Sequence, residues 1–293
     1  MKKILITGAG GFLGVALLQH CLSKGKFDLW AVTSNEGKLR KCVGNNVHIL
    51  DRDYPFSEEF KMQTFDCAIN CAYPRNTSGE EIARGLKYLT DMFNAFNKGN
   101  VKSIINISSQ SLYDEKRIFP ATEETKLCLN NSYAVGKYAT ELLLDNICTT
   151  IAHTNIRMAS LIGPTFNQRI VNRLIQKAIN QENIVINKSK QTFGFLDVRD
   201  AADGIISLLD IEAFKWKHIY NLGSGCSYSL EDIIKTIKSV FEDDGVSFPE
   251  VEFVETSENG STAVAYDLFY NDTGFKPQVS LSQSIQIILD SLK

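Results

Sequence analysis

An α/β fold with a doubly wound parallel sheet is the architecture this chain predicts, and three observations predict it. Short apolar runs rich in β-formers alternate with helical patterns through the first half. A glycine-rich turn, Thr7-Gly8-Ala9-Gly10-Gly11-Phe12-Leu13-Gly14, sits between the first apolar run and the first helix. No internal repeat and no low-complexity linker breaks this order.

The elements follow in sequence. Lys3-Ile4-Leu5-Ile6-Thr7 reads as a strand buried on both faces, and further strands are expected at 28–33, 47–50, 65–70, 101–107 and 150–156. Helices are expected near 11–24, 80–98 and 133–146, the second supported by Ile82, Leu86, Leu89, Phe93 and Phe96 at helical spacing. The second half is less regular. It predicts a helix near 166–181, a short strand, the run Phe193–Val198, a helix over about 200–210, a strand into Tyr220-Asn221-Leu222-Gly223, and helices at 229–242 and 281–292. Residues 1–159 and 193–222 are therefore assigned to the sheet domain, and 160–192 with 223–293 to a smaller, discontinuous C-terminal substrate lobe.

Two motifs carry chemistry. In the glycine turn, Gly8 permits a sharp reversal, Gly11 leaves room for a pyrophosphate to reach the main chain, and Gly14 lets helix and strand pack closely. The helix start supplies free N–H groups and a favourable dipole for that anion. A lone glycine pattern is weak evidence, so the second motif matters. Tyr133-Ala134-Val135-Gly136-Lys137 puts a phenol and an amine one helical turn apart on one face. A free tyrosine has a pKa of about 10, and the Lys137 ammonium is expected to lower it, fitting Tyr133 for proton exchange with a carbonyl or alcohol oxygen. Together the two motifs imply hydride transfer to or from a carbonyl. The bland reading of Tyr133 and Lys137 is an ordinary surface pair.

Bulk properties set limits. The 293 residues, 44% hydrophobic, suffice for one large domain or a main domain with a lobe. A formal charge of −3 gives no basic stripe for nucleic acid, and no apolar run is long enough to span a bilayer. Met1-Lys2-Lys3 and the apolar residues after it read as a strand and not as a signal peptide, because four glycines interrupt the run. Seven scattered cysteines without a C-x-x-C pair read as reduced thiols, with Cys67 and Cys71 packing around a strand. The four histidines, 20, 48, 153 and 218, stand apart in sequence, so no metal site is expected. Asn76-Thr77-Ser78 and Asn259-Gly260-Ser261 fit a glycosylation pattern without meaning in the expected cytoplasmic location.

The order of motifs resembles the extended short-chain dehydrogenase/reductase family, in its nucleotide-sugar epimerase, dehydratase and reductase branch. The resemblance covers nearly the whole chain: the turn at 7–14, Asp51, Asn70-Cys71-Ala72, Ser108-Ser109, Tyr133…Lys137, Arg157…Gly163-Pro164, Phe195–Asp200, Tyr220–Gly223 and Gly274–Pro277. It implies a Rossmann sheet and a Ser-Tyr-Lys site of Ser109, Tyr133 and Lys137, with Ser108 as the rival hydroxyl and a strand-end cap as the bland reading of Ser109. It also implies cofactor contacts from Gly8, Gly11, Phe12, Leu13, Gly14, Asp51, Arg52, Cys71, Ala72, Tyr73, Tyr133 and Lys137, with Asp51 at the adenine and Lys137 at the nicotinamide ribose. A homodimer through a helix pair including 133–146 is a further implication.

Cofactor choice turns on the end of the second strand. Ala31-Val32-Thr33-Ser34-Asn35 has no acid there for a ribose 2′-hydroxyl. Thr33 and Ser34, with Lys38, Arg40 or Lys41, are expected to accommodate a 2′-phosphate, so NADP is favoured and NAD is the alternative. Gln110-Ser111 replaces the Asp-Glu pair of the 4,6-dehydratases, which disfavours dehydration. The expected activity is thus an NADPH-dependent reductase of a keto-sugar nucleotide. An epimerase retaining NAD is the alternative, and a non-catalytic NADP-sensing protein the third reading. Phe193 and about Ser257 stand where the family commonly has diphosphate-binding arginines, and Arg169, Arg173, Lys188 or Lys190 are candidates to replace them. Ser160 is a further candidate near the sugar, and Gly85 stands where many relatives have Asn. Specificity is expected to lie in the loops 73–80, 112–130 and 160–192.

Overall fold

The computed structural model describes residues 1–74, 78–166 and 169–293. Asn76 and Thr77 of the first glycosylation pattern, and parts of the loops 73–80 and 160–192, lie outside the described residues.

The chain alternates as its apolar pattern requires: β1 (Lys2–Thr7), α1 (Phe12–Lys24), β2 (Phe27–Val32), α2 (Glu36–Val43), β3 (His48–Leu50), α3 (Glu58–Met62), β4 (Thr64–Phe65), β5 (Cys67–Asn70), α4 (Gly79–Lys98), β6 (Asn100–Val101), β7 (Ser103–Ser109), α5 (Ser132–Ile147) and β8 (Ala152–Met158). After these come β9 (Ser160–Ile162), α6 (Ile170–Ile179), β10 (Ile184–Thr192), β11 (Phe195–Asp197), α7 (Val198–Ser207), β12 (Ile219–Leu222), α8 (Leu230–Asp243), β13 (Val251–Ser261), α9 (Asp267–Thr273) and α10 (Leu281–Asp290). Seven strands form one sheet in the order β12-β8-β7-β5-β1-β2-β3. Every pairing in it is parallel. The doubly wound sheet is the expected one.

Strand alternation divides the core. Ile4, Ile6, Leu29, Ile69, Ile105 and Ile107 pack with α1 and α7 in one cluster. Leu5, Val32, Ala68 and Ile104 pack with Leu89, Phe93 and Phe96 of α4 and Leu144 of α5 in another. Strands covered on both faces this way need near-continuous apolar sequence, which is why they were legible. A third cluster joins α6, α8 and α10 to Ile184 and Ile186 of β10 and forms the core of the lobe.

Several details differ from the sequence reading. Of residues 193–222, only β12 enters the large sheet, while β11 pairs with β9 in a separate two-stranded sheet. Val264, Phe269 and Phe275 come from the segment assigned to the lobe, yet they pack in the sheet's core. The polar helices α2 and α3, the helix α9 and the strand β13 have no strong apolar period; β13 instead gains order from its parallel pairing with β10. Residues 195–200, read as one unit of strand and helix, act as a clasp. Asp200 accepts the amides of Gln278 and Val279 at 3.0 and 2.8 Å, and Asp197 accepts from Ser284 at 2.6 Å.

Across the face under α4 and α5 runs a chain of buried polar side chains. Thr7 Oγ1 donates to Asn70 Oδ1 at 2.7 Å, Asn70 Nδ2 to Asn106 Oδ1 at 2.9 Å, and Asn106 Nδ2 to Asn155 Oδ1 at 2.8 Å. Asn155 Nδ2 then donates to Asp145 Oδ1 of α5 at 3.3 Å. Each of the first three steps joins residues directly opposite in the register of β1, β5, β7 and β8. Asn106→Ala removes an acceptor and a donor from the middle of this chain, leaving two buried partners unsatisfied at about 1–3 kcal/mol each. Urea unfolding of this variant should show a loss of about 2–5 kcal/mol with an unchanged m-value.

Candidate active site

The glycine turn closes tightly against its neighbours. Gly8 has φ 65°, and a Cβ there would stand 2.6 Å from the Ala72 amide nitrogen, so the turn after β1 and the turn after β5 can meet only at glycine. The Gly11 amide donates to the Gly8 carbonyl at 2.9 Å, and Gly11 is the N-cap of α1. No side chain caps this helix and its first turn contains no acid. The amides at its start therefore face the crevice as donors for an anion. Leu13 is buried, while the Phe12 ring stacks on Phe166 at 4.7 Å with planes 7° apart. The loop after β9 thus lies over the turn. This crevice is at the C-terminal ends of β1 and β5, where strand order reverses, the usual ligand position in such sheets.

Beside it, α5 starts at an Asn131 cap and presents Tyr133 and Lys137. The Tyr133 phenol is pushed above its ordinary value by burial, and hydrogen bonding to the Ser109 side chain and the Arg169 charge oppose that rise. Ser109, at the end of β7, accepts the Ser111 amide at 3.1 Å; its neighbour Ser108 is buried with its Oγ unpartnered among the described residues. Ser109 is therefore the hydroxyl brought to the phenol, and it also makes the strand-end cap.

The expectation that Lys137 lowers the Tyr133 pKa is corrected. The Lys137 ammonium donates to the Ile107 carbonyl at 2.7 Å and lies 4.4 Å from the centre of the Tyr73 ring. Tyr73 packs its ring edge-on against Tyr133 at 5.4 Å. The amine is thus directed at a carbonyl and an aromatic face, and Arg169 is the cation acting on the phenol. Burial pushes Lys137 down to about 8, against the opposing influence of Cys71 and Glu141. Gly136 makes the arrangement possible, since a Cβ there would meet the Tyr73 hydroxyl at 2.1 Å.

One turn beyond Lys137, buried Glu141 takes a two-bond grip on Arg157 of β8: Nε to Oε1 at 3.1 Å and Nη2 to Oε2 at 2.8 Å. Arg157 also donates to the Tyr113 hydroxyl at 3.2 Å, which donates to Asn221 at 2.8 Å. Arg157 thus holds α5 on the sheet and does not reach the crevice.

Other expected site residues are placed as follows. Ala72 donates its amide to Asn70 at 3.1 Å. Cys71 is half-buried and its thiol is pushed up to about 12 by burial, as is that of Cys67, so neither is a ready thiolate. Asp51 is exposed and accepts the Asp53 amide at 2.8 Å with one oxygen. Arg52 lies over the Tyr88 ring at 5.0 Å, away from the turn. Thr33 is buried beside Gly10, and its Oγ1 accepts from the Asn35 amide at 3.2 Å. Ser34 is exposed; Arg40 is held by Glu36 at 2.9 Å. Arg173 is exposed on α6, and Ser160 is half-buried at the start of β9. Arg169 lies 5.3 Å from the Phe166 ring centre, with a buried Nε that has no partner among the described residues. Lys188 is committed to Glu231 and Glu255. Gly85 packs on Pro74, where a Cβ would come within 2.6 Å. Phe193 pairs its backbone both ways with Tyr228 and stacks on Phe195. The histidines are not all isolated, a further correction, because folding brings His153 and His218 to 5.8 Å between ring centres.

Against this geometry, the model of the NAD dependent epimerase/dehydratase family matches residues 4–223. The chain belongs to that family. Among curated relatives, the UDP-glucose 4-epimerase of Yersinia enterocolitica is 25% identical over 281 residues, covering 81% of this chain and 82% of that protein. Two solved structures are similar in fold. The UDP-glucuronic acid 4-epimerase from Bacillus cereus in complex with NAD has a TM-score of 0.84 at 20% identity, covering 99% of this chain and 96% of that one. The same enzyme with UDP-glucuronic acid and NAD has a TM-score of 0.82 at 21% identity, with 99% and 98% covered.

Some residues of this family member escaped the sequence reading. Asn106 had a visible signal, a polar residue inside the buried run Ile104–Ile107, and so did Glu141, one turn after Lys137 on the same helix face. Phe166 over Phe12 had none, because a loop's path is not periodic. Among the described residues no helix is long and apolar enough to cross a membrane.

The buried amine generates a testable consequence. Lys137 binds its proton less tightly folded than unfolded, so its burial opposes folding at neutral pH, and that opposition fades as pH rises from about 8 towards the ordinary lysine value. Lys137→Met should be more stable than the parent at pH 7, by up to a few kcal/mol, with the difference shrinking by pH 10. Paired denaturation curves at the two pH values check this.

Proposed function

We propose that this chain is an NAD-dependent nucleotide-sugar epimerase that retains its cofactor. The observation carrying the reading is a phenol in contact with a strand-end serine, beside an uncapped glycine-turn helix, in a chain of the epimerase/dehydratase family. The 4-epimerase names of the curated relatives favour epimerisation over the reductase expected from sequence. NAD is favoured over NADP by the Glu36–Arg40 pair in α2, which occupies one of the cations expected to meet a 2′-phosphate, and by the NAD bound in the Bacillus cereus enzyme.

The residues fit such a cofactor. The amides at the start of α1, with Gly8 and Gly11 shaping the turn, would hold the diphosphate, and Asp51 has one carboxylate oxygen for the adenine. Ala72 and Tyr73 would flank the nicotinamide half, and Lys137, by turning from the Ile107 carbonyl, would take the ribose hydroxyls. NAD, when bound, supplies reversible hydride acceptance. Tyr133 moves the proton on the reacting hydroxyl of the sugar, as general base in the first half and acid in the second. Ser109, whose hydroxyl opposes the rise of the Tyr133 phenol, would orient that oxygen. Arg169 is the charge nearest this exchange and favours the phenolate form. Gln110-Ser111 offers no acid and base for elimination of water.

Two measurements on the purified chain test this. Denaturing extraction should release NAD at near one per chain, and UDP-hexoses should be interconverted at C4 without added cofactor. Tyr133→Phe should fold, keep its NAD and lose turnover by about 10²–10⁴-fold. An empty site with NADPH preferred to NADH would return the reading to the reductase.

A further inference from the structure

A cluster of metal-ligating side chains lies at the N-terminal ends of the sheet's outer strands, away from the glycine turn. Asp145 comes from the end of α5, His153 from the start of β8, and His218 from just before β12. Both imidazoles aim Nε2 at one carboxylate, each at its own oxygen: His153 at Oδ1 and His218 at Oδ2, both at 3.2 Å. The three donor atoms all lie within 4.8 Å of one another.

The hydrogen bonding of His153 suits a metal ligand. Its Nδ1 lies 2.8 Å from the Ile151 carbonyl oxygen, which only accepts, so Nδ1 carries the proton. In the neutral ring Nε2 is then a bare lone pair, and it faces the lone pairs of Asp145. A proton on Nε2, which the carboxylate favours, or a metal cation between them removes that conflict. A backbone carbonyl fixing the distal N–H is also how metal-bound histidines are oriented. Asn155 holds the carboxylate from behind, donating to Oδ1 at 3.3 Å. Ligand bonds of about 2.0–2.2 Å around a tetrahedral ion give ligand–ligand edges of about 3.3–3.5 Å. With one carboxylate oxygen as ligand, one of the 3.2 Å separations already approximates such an edge, and the other donor separations, all within 4.8 Å, would close to it around the ion.

We propose that Asp145, His153 and His218 bind a divalent transition-metal ion, zinc or a cation of like softness, with the fourth position left to water. Two imidazoles and one carboxylate suit zinc, cobalt, nickel or copper better than magnesium or calcium. The ion ties the end of the helix carrying Tyr133 and Lys137 to the outermost strands of the sheet. This claim is independent of the proposed epimerase activity.

The test uses the full chain, stripped with EDTA and titrated with cobalt chloride, then zinc chloride. The expected result is one saturable site per chain, with the visible d–d absorption of four- or five-coordinate cobalt, no sulfur-to-cobalt charge transfer, and loss of the bands as zinc displaces cobalt. His218 is more than half exposed, so His218→Gln should fold as the parent does and weaken binding at least tenfold. Asp145→Asn should weaken binding likewise, and zinc should raise the melting temperature of the parent only. Equal binding by parent and His218→Gln would overturn the proposal, as would cobalt bands carrying thiolate charge transfer from the exposed Cys42 or Cys226. Absence of one-to-one binding would also overturn it and leave a protonated His153 paired with Asp145.

Discussion

The buried chain from Thr7 to Asp145 is the constraint on which the sheet's geometry depends. Each asparagine spends its amide hydrogen on the next side chain, and the series can run in only one sense because it ends on a carboxylate, which accepts and cannot donate. Four strands must hold their register for these side chains to meet, since a slip of one residue would turn each asparagine to the opposite face. Burial makes the alternative costly: Asn106 and Asn155 are fully covered, and an amide without a partner there forfeits its hydration. The same chain ends beside the glycine turn. Asn70 Oδ1 accepts both from Thr7 and from the Ala72 amide, so the positions of the turn after β1 and the turn after β5 are set by one oxygen.

Helix α5 is fixed at three levels. Asn131 caps its start, the Glu141–Arg157 pair binds its middle to β8, and Asp145 meets the asparagine chain near its end. A buried ion pair is a poor source of net stability, because desolvation offsets most of its attraction. Its worth here is positional. The two-bond geometry fixes the rotation of α5 about its axis, and with it the directions in which Tyr133 and Lys137 project. Burying an amine that carries its charge reluctantly is a cost to folding accepted at the site proposed to do the chemistry.

The sheet was legible because its strands are covered on both sides and so cannot conceal their apolar runs. The glycine turn and the Tyr133–Lys137 spacing were legible for a different reason, since local backbone geometry and helix period determine both. What was not legible depends on contacts between distant segments. Residue spacing places Lys137 one turn from Tyr133 but says nothing of the Ile107 carbonyl, which draws the ammonium away. Residue spacing likewise does not show that Thr33 is buried beside Gly10 and accepts the Asn35 amide. His153 and His218 looked unrelated because only the pairing of β8 with β12 brings them together. Strand β13 has almost no apolar stripe, and its pairing with β10 alone makes it a strand.

The lobe side of the crevice differs in charge from what the family resemblance implies, and this bears on how a nucleotide sugar would be held. Phe193 occupies a place where arginine is common, and its ring stacks on Phe195 while its backbone is tied to Tyr228. Lys188, the nearest basic candidate on β10, is already neutralised by two glutamates. Neither of these two positions offers a guanidinium fork to a diphosphate. Charge is concentrated instead at Arg169, at the mouth of the glycine turn between Phe166 and Tyr133. A cation there acts on the reacting end of a substrate more than on its diphosphate. Under the proposed function, the Arg169 charge serves the proton exchange, and Arg173, exposed on α6, is the guanidinium left for a diphosphate.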